Sequence, residues 1–277
     1  MNSTVSRPLS IIGIVTSPHK DGMTAQLVQR ALEGAAAAGA EIETICLADQ
    51  PLQACRGCGG GCWKTLHCAQ DQAGTRWQAR LQRADAIVVA VPVYCWQMNG
   101  LAHLFIDRMR WDTGSVLAPR NRRAAFGMAC AGGSGTGCVL ALQALYRYFY
   151  NWAFHGIPGL PVTRFNFRRA LEEAREGGEA LVRTLESGVQ PFASLGAALA
   201  HYEALPHMQD TPLDELRLLV AQLRAGLAEA EGDLVRTLHQ EAAQAEAAWA
   251  RGERARAAEH LSRAYEAGKA AWGKRRE

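Results

Sequence analysis

The chain has 277 residues, 48% hydrophobic and 21% charged, enough for one full domain and part of a second around a buried core. Thirty Lys and Arg against 27 Asp and Glu leave a formal +3, too little to argue for nucleic acid, and the basic ending Lys274-Arg275-Arg276 reads as a solvated tail. Residues 1–9 lack the build of a signal peptide and no apolar run approaches the roughly 18 residues that span a bilayer, so a cytoplasmic protein with no membrane partner is expected.

Taken in order, Ser10 to Val15 is a short apolar run that suits a strand buried on both faces. Thr16 to Met23 reads as a loop. Thr24 to Ala38 has helical spacing, with Thr24 placed to cap the first turn. A strand, a polar loop and a helix N-terminus form a phosphate-receiving geometry. Gly39 stops the helix, and Glu41 to Leu47 alternates as a second strand. Arg76 to Arg83 is helical, Ala86 to Val91 is the most strand-like run, and Pro92 is expected to end it. Gly100 to Met109 follows as a helix, Ala124 to Cys130 as a fourth strand and Val139 to Phe154 as the next helix. Ile157 to Phe165 makes a poor fifth strand, broken by Pro158 and Pro161.

Strands alternating with helices predict an α/β fold, a doubly wound parallel sheet with right-handed crossovers. Ligands of such sheets bind beyond the carboxyl ends of the strands, where Thr16–Thr24, Pro92–Asn99 and Gly132–Gly137 converge. After Phe167 the composition turns to Ala, Glu, Leu and Arg, with breaks expected at Gly177-Gly178 and between Pro206 and Pro212. Leu216, Val220, Leu223 and Leu227 form an amphipathic stripe that resumes at Leu234, and a helical pair closes the chain. The domains are read as 1–206 and a helical extension, 207–277.

Four of the eight cysteines, Cys55, Cys58, Cys62 and Cys68, fall within fourteen residues. In a reducing compartment that crowding points to a metal, a cluster or redox chemistry rather than a disulfide framework. Zinc modules usually pair two short C-x2-C knuckles, and this loop holds one. A cluster, zinc and a metal-free loop all stay open on the residues alone. Cys46, Cys130 and Cys138 read as small core residues. The loop Thr16 to Thr24 offers hydroxyls, a cation and backbone amides ahead of a helix dipole, enough to hold a phosphate monoester. Tyr94, Trp96 and Met98 put apolar groups at a strand's carboxyl end, which suits a flat aromatic ligand. Aromatics from Tyr146 to Phe154 are read as core or a subunit contact, and His67 as a solvated loop histidine.

Ser17-Pro18-His19-Lys20-Asp21-Gly22-Met23-Thr24, the Cys55 to Thr65 stretch, and Pro92-Val93-Tyr94-Cys95-Trp96 ahead of Phe105-Ile106-Asp107-Arg108 together resemble the iron-sulfur flavoprotein branch of the flavodoxin-like NAD(P)H-dependent FMN oxidoreductases. The resemblance runs from about Leu9 to Phe167 and implies a five-stranded sheet in the order 2-1-3-4-5. It implies that Ser17, His19, Gly22 and Thr24 bind the FMN phosphate, with Met23 standing where the family usually has Asn. Pro92, Val93, Tyr94, Trp96 and Met98 would line the isoalloxazine, with Cys95 in the same loop, and Gly132, Gly133, Ser134 and Gly135 would close over it. Cys55, Cys58, Cys62 and Cys68 would hold a [4Fe-4S] cluster, although Gly59-Gly60-Gly61 is one residue longer than the usual spacing.

The expected function is an FMN-dependent oxidoreductase that moves electrons from a reductant such as NAD(P)H to a small-molecule or protein acceptor. Alternatives are a cluster-free flavin or quinone reductase, an electron carrier docking through its C-terminal helices, and a biosynthetic enzyme whose helices cover the flavin. No catalytic acid or base is assigned. A homodimer or homotetramer is expected, because in the family neighbouring subunits shape the flavin pocket and the apolar stripe offers more surface to bury.

Overall fold

Strand β1 (Ser10–Val15) buries Ile11, Ile12, Ile14 and Val15, as a run apolar on both faces requires of a central parallel strand. The computed structural model describes residues 7–49, 52–68, 70, 72–110 and 122–275. The expectations for residues 1–6 and Arg276 lie outside them. The chain continues through α1 (Met23–Ala37), β2 (Glu41–Cys46), the short α2 (Cys62–Thr65), α3 (Gln72–Leu81), β3 (Ala86–Tyr94), β4 (Gln97–Met98) and α4 (Gly100–Arg108). Then come β5 (Ala124–Ala131), α5 (Cys138–Asn151), β6 (His155–Gly156), β7 (Leu160–Thr163), α6 (Phe167–Glu186) and α7 (Leu195–Ala204). Helices α8 (Pro212–Gly226), α9 (Asp233–Ala250) and α10 (Arg254–Lys274) complete it.

The sheet order is β2-β1-β3-β5, with β6 and β7 both pairing parallel to β5 in the fifth place. This is the expected 2-1-3-4-5 order, its fifth strand split by Pro158-Gly159. One face of the sheet packs on α3, α4 and α5 through Trp77, Leu81, Phe105 and Phe149. The other packs on α1 and α6 through Leu27, Val28, Ala31, Ala174 and Leu181. Helices α8, α9 and α10 enclose a third core, which includes Ala131, Cys138, Val139 and Phe165 from the α/β part. None of the described helices is long and apolar enough to cross a membrane.

Four boundaries differ from expectation for identifiable reasons. Pro92 does not end β3: the last rung with β1 is Val15 to Ala90, so its missing N–H costs no pairing on that side. Thr24 does not cap α1; Gly22 is the N-cap and the Thr24 hydroxyl turns inward to the Cys130 thiol. Helix α5 stops at Asn151, because Ala153 takes a φ of +57° and turns the chain into β6. Gly177-Gly178 does not break α6. A Cβ on Gly178 would lie 1.8 Å from the Ala31 carbonyl oxygen, and one on Gly177 would lie 2.3 Å from Phe126, so the pair lets α6 settle onto α1 and β5.

Candidate functional site

Strands β1, β3 and β5 are neighbours, and their registers align Val15 with Ala90 and Ala90 with Met128. The loops after their carboxyl ends therefore leave the sheet side by side. The first begins at Thr16, whose hydroxyl donates to the Ala90 carbonyl at 3.0 Å. The Asn99 amide donates to the Thr16 carbonyl at 2.8 Å, while its side-chain oxygen accepts from Ala102 N at 3.2 Å. One buried asparagine thus caps α4 and ties the first loop to the second. Asn99 was not among the expected site residues, although an Asn ahead of a helix is a legible capping signal.

Within the first loop, Ser17 is buried and its hydroxyl accepts from His19 N at 3.0 Å, while His19 and Lys20 are exposed. Lys20 pairs with Asp49. Helix α1 has no side-chain cap and no acidic residue in its first turn, so its free amides and positive dipole end face the loop. Met23 starts the helix and packs into the core beneath, contributing no polar group.

The second loop is a hairpin. Val93 pairs with Met98 and Tyr94 with Gln97, leaving Cys95 and Trp96 as the two turn residues, with φ of +49° and +69°. Two positive φ values belong to a type I′ turn, normally made by Asn-Gly. Here a cysteine and a tryptophan adopt it, and the turn presents Tyr94 (47% exposed) and Trp96 (53% exposed) outward. Pro92 is buried beneath them, Val93 is half-buried, and Met98 is in the core rather than on the exposed rim.

In the third loop Gly132, Gly133 and Ser134 are exposed, and a Cβ on either glycine would meet nothing within 4 Å. Gly135 is buried and faces Leu219 of α8. Gly137 lies against the hairpin: a Cβ there would sit 2.5 Å from Trp96 Cα. Burial pushes the Cys130 thiol up to about 12, and Cys138 is raised by burial and then by the nearby Glu215 carboxylate, so both stay protonated core thiols.

These features fit FMN. Uncapped helix amides with the Ser17 hydroxyl suit its phosphate, the exposed aromatics suit its ring, and the open glycines leave room above them.

The cysteine loop lies elsewhere, after β2. Cys55, Cys58, Cys62, Cys68, Trp63 and Arg108 contribute to one cavity of about 570 Å3. The Arg110 guanidinium stands 4.3 Å from the Trp63 ring, and Arg108 donates to the Ala54 carbonyl at 3.4 Å, joining the loop to the end of α4. Gly57, Gly59 and Gly60 all take positive φ, spreading the loop open, and Cys55 and Cys58 are exposed. Among the described residues no three His, Cys, Asp or Glu side chains gather into a site for a metal ion. The four thiols line that common cavity. His67 is exposed, as a solvated loop residue would be.

Fold and loop geometry together define a flavodoxin-like protein of the FMN-binding kind. A profile of the NADPH-dependent FMN reductases matches residues 9–164, more than half of the chain. The chain belongs to that family of flavin-dependent oxidoreductases. Among curated relatives it is similar to an iron-sulfur flavoprotein of Archaeoglobus fulgidus, 29% identical over 101 residues, covering 36% of this chain and 46% of the relative. It is also similar to the iron-sulfur flavoprotein MJ1083 of Methanocaldococcus jannaschii, 33% identical over 102 residues, covering 37% of this chain and 52% of the relative. The chain thus spans about half the length of these relatives. The fold matches that of RosB, solved with 8-demethyl-8-formylriboflavin-5'-phosphate bound, at a TM-score of 0.54 and 14% identity, over 70% of this chain and 87% of that one.

Proposed function

We propose that this protein is an FMN-dependent oxidoreductase that takes electrons from NAD(P)H and delivers them to a small-molecule or protein acceptor. The observation that carries the reading is the meeting of an uncapped helix N-terminus, an outward-facing aromatic hairpin and an open glycine loop at the carboxyl ends of three adjacent strands. When bound, FMN supplies two-electron chemistry with the nicotinamide and one- or two-electron chemistry with the acceptor. The chain's own residues bind and orient. Ser17, Gly22 and the first amides of α1 would hold the phosphate, and Tyr94, Trp96, Gly132 and Gly133 would flank the ring and limit its access to water.

The cysteine loop supports a second reading, a [4Fe-4S] protein, because all four cysteines line one cavity and the curated relatives above are iron-sulfur flavoproteins. A homo-oligomer and a division at about residue 206 belong to the same proposal.

Steady-state oxidation of NADPH by the purified, FMN-loaded protein tests the function, with a quinone, a nitroarene or oxygen as acceptor. Turnover dependent on both FMN and acceptor is expected. Reduction only through a partner protein would replace the enzyme with an electron carrier.

A further inference from the structure

Helix α5 begins beside the flavin hairpin, yet its own N-cap, Gly137, offers no side chain to satisfy the first amides. The missing cap comes from the C-terminal helices. Glu215 of α8 is buried (4% exposed), and its two carboxylate oxygens accept from Gly137 N at 3.1 Å and Val139 N at 2.8 Å. A charge-assisted pair of this kind at a helix N-terminus gains from both hydrogen bonds and dipole. A second tie comes from α10: the Tyr265 hydroxyl donates to the Ser134 carbonyl at 2.7 Å. Between them, Leu219 of α8 stands within 3.0 Å of where a Gly135 Cβ would lie.

The clamp reaches the hairpin as well. Gly137, held by Glu215, is the residue whose missing side chain lets the Trp96 backbone approach. Three loop positions, Ser134, Gly135 and Gly137, are thereby fixed by residues 75 or more positions later in the chain, and Gly137 in turn backs the hairpin that presents Tyr94 and Trp96. We propose that Glu215 and Tyr265 are positioning residues for the flavin site, and that the helical extension is part of the cofactor-binding machinery rather than an appendage. The proposal rests on the FMN reading above.

The test compares the full chain with Glu215→Gln, Tyr265→Phe and, as a control within the extension, Glu246→Gln, which removes an exposed partner of Arg217 far along the sequence from the loop. Two readouts are taken well below every melting temperature: the Kd for FMN by quenching of flavin fluorescence, and amide hydrogen exchange at Gly137 and Val139. Losing a buried charge-assisted cap is expected to weaken FMN about tenfold in Glu215→Gln and about threefold in Tyr265→Phe, with the control near wild type. An FMN Kd within about twofold of wild type in both folded variants, whatever the fall in melting temperature, overturns the proposal by showing a purely structural cap. Should Glu215→Gln not fold, Tyr265→Phe decides alone. If the wild type itself binds no FMN, the flavin reading fails, and exchange then judges the clamp. Gly137 and Val139 amides at least about tenfold faster in Glu215→Gln than in the control support it, and unchanged exchange rejects it.

Discussion

Cys95 and Trp96 both hold left-handed backbone, a conformation that costs a non-glycine residue roughly 1–2 kcal/mol. Strain of this kind collects at ligand sites, and here it turns two aromatics outward. Replacing Trp96 by glycine is therefore expected to raise the stability of the FMN-free protein by about 1 kcal/mol in urea unfolding while weakening FMN binding; a variant less stable than wild type would remove strain from the account. His155 gives a pH prediction. Its ring lies 4.2 Å from that of His201 and stacks on Phe192 at 5.5 Å, and burial, with the neighbouring His201, lowers it from 6.5 to about 4. The unfolded chain binds the proton more readily, so the stability of the neutral ring is complete above pH 6.5 and is lost as pH falls toward 4. The urea midpoint of the wild type should drop more between about pH 7 and about pH 4.5 than that of His155→Asn, and equal drops would contradict the assignment. The places of Ser17 in the first loop and of Tyr94 and Trp96 at the carboxyl end of β3 were legible in the sequence. Thr24 was misread because its hydroxyl is used by Cys130, a partner over a hundred positions away, and Glu215 and Tyr265 were missed for the same reason.

Most elements were legible because apolar period and turn residues agree with the fold, from the all-apolar β1 to the stripe of α8. Helix α6 was one exception: a glycine pair reads as a break until the neighbouring helix is known. Gly178 faces α1 closely enough that Gly178→Ala must separate two backbones or bend one. Overpacking predicts a loss of about 1–3 kcal/mol or more in urea unfolding, against a small effect for Gly196→Ala, whose Cβ would meet only Ser194 Oγ at 3.7 Å. Comparable costs at both sites would mean that α1 and α6 are not in backbone contact. The extension carries its own start signal, a capping box of Thr211 and Asp214 with Pro212 in the first turn, although it was the apolar stripe that made α8 readable. What α8 packs against was not readable, since the third core draws Ala131, Val139 and Phe165 from the α/β part.

At the scale of the whole molecule, an uncapped helix end, a strained aromatic hairpin and a glycine loop held from behind by the C-terminal helices meet at the carboxyl ends of three inner strands. The thiol loop is a separate question of composition. Iron and sulfide near four each per chain after anaerobic purification would support a cluster held by Cys55, Cys58, Cys62 and Cys68, one zinc would support the knuckle reading, and neither would leave a flavin-only enzyme. Flavin binding is independent of that answer. Its most direct test is a titration of flavin-free protein with FMN, followed by fluorescence quenching and by thermal unfolding. One FMN per chain, saturable quenching, and stabilisation approaching about 2.7 kcal/mol at a hundredfold excess over Kd are predicted; flavin fluorescence and melting temperature both unmoved by excess FMN would contradict the account.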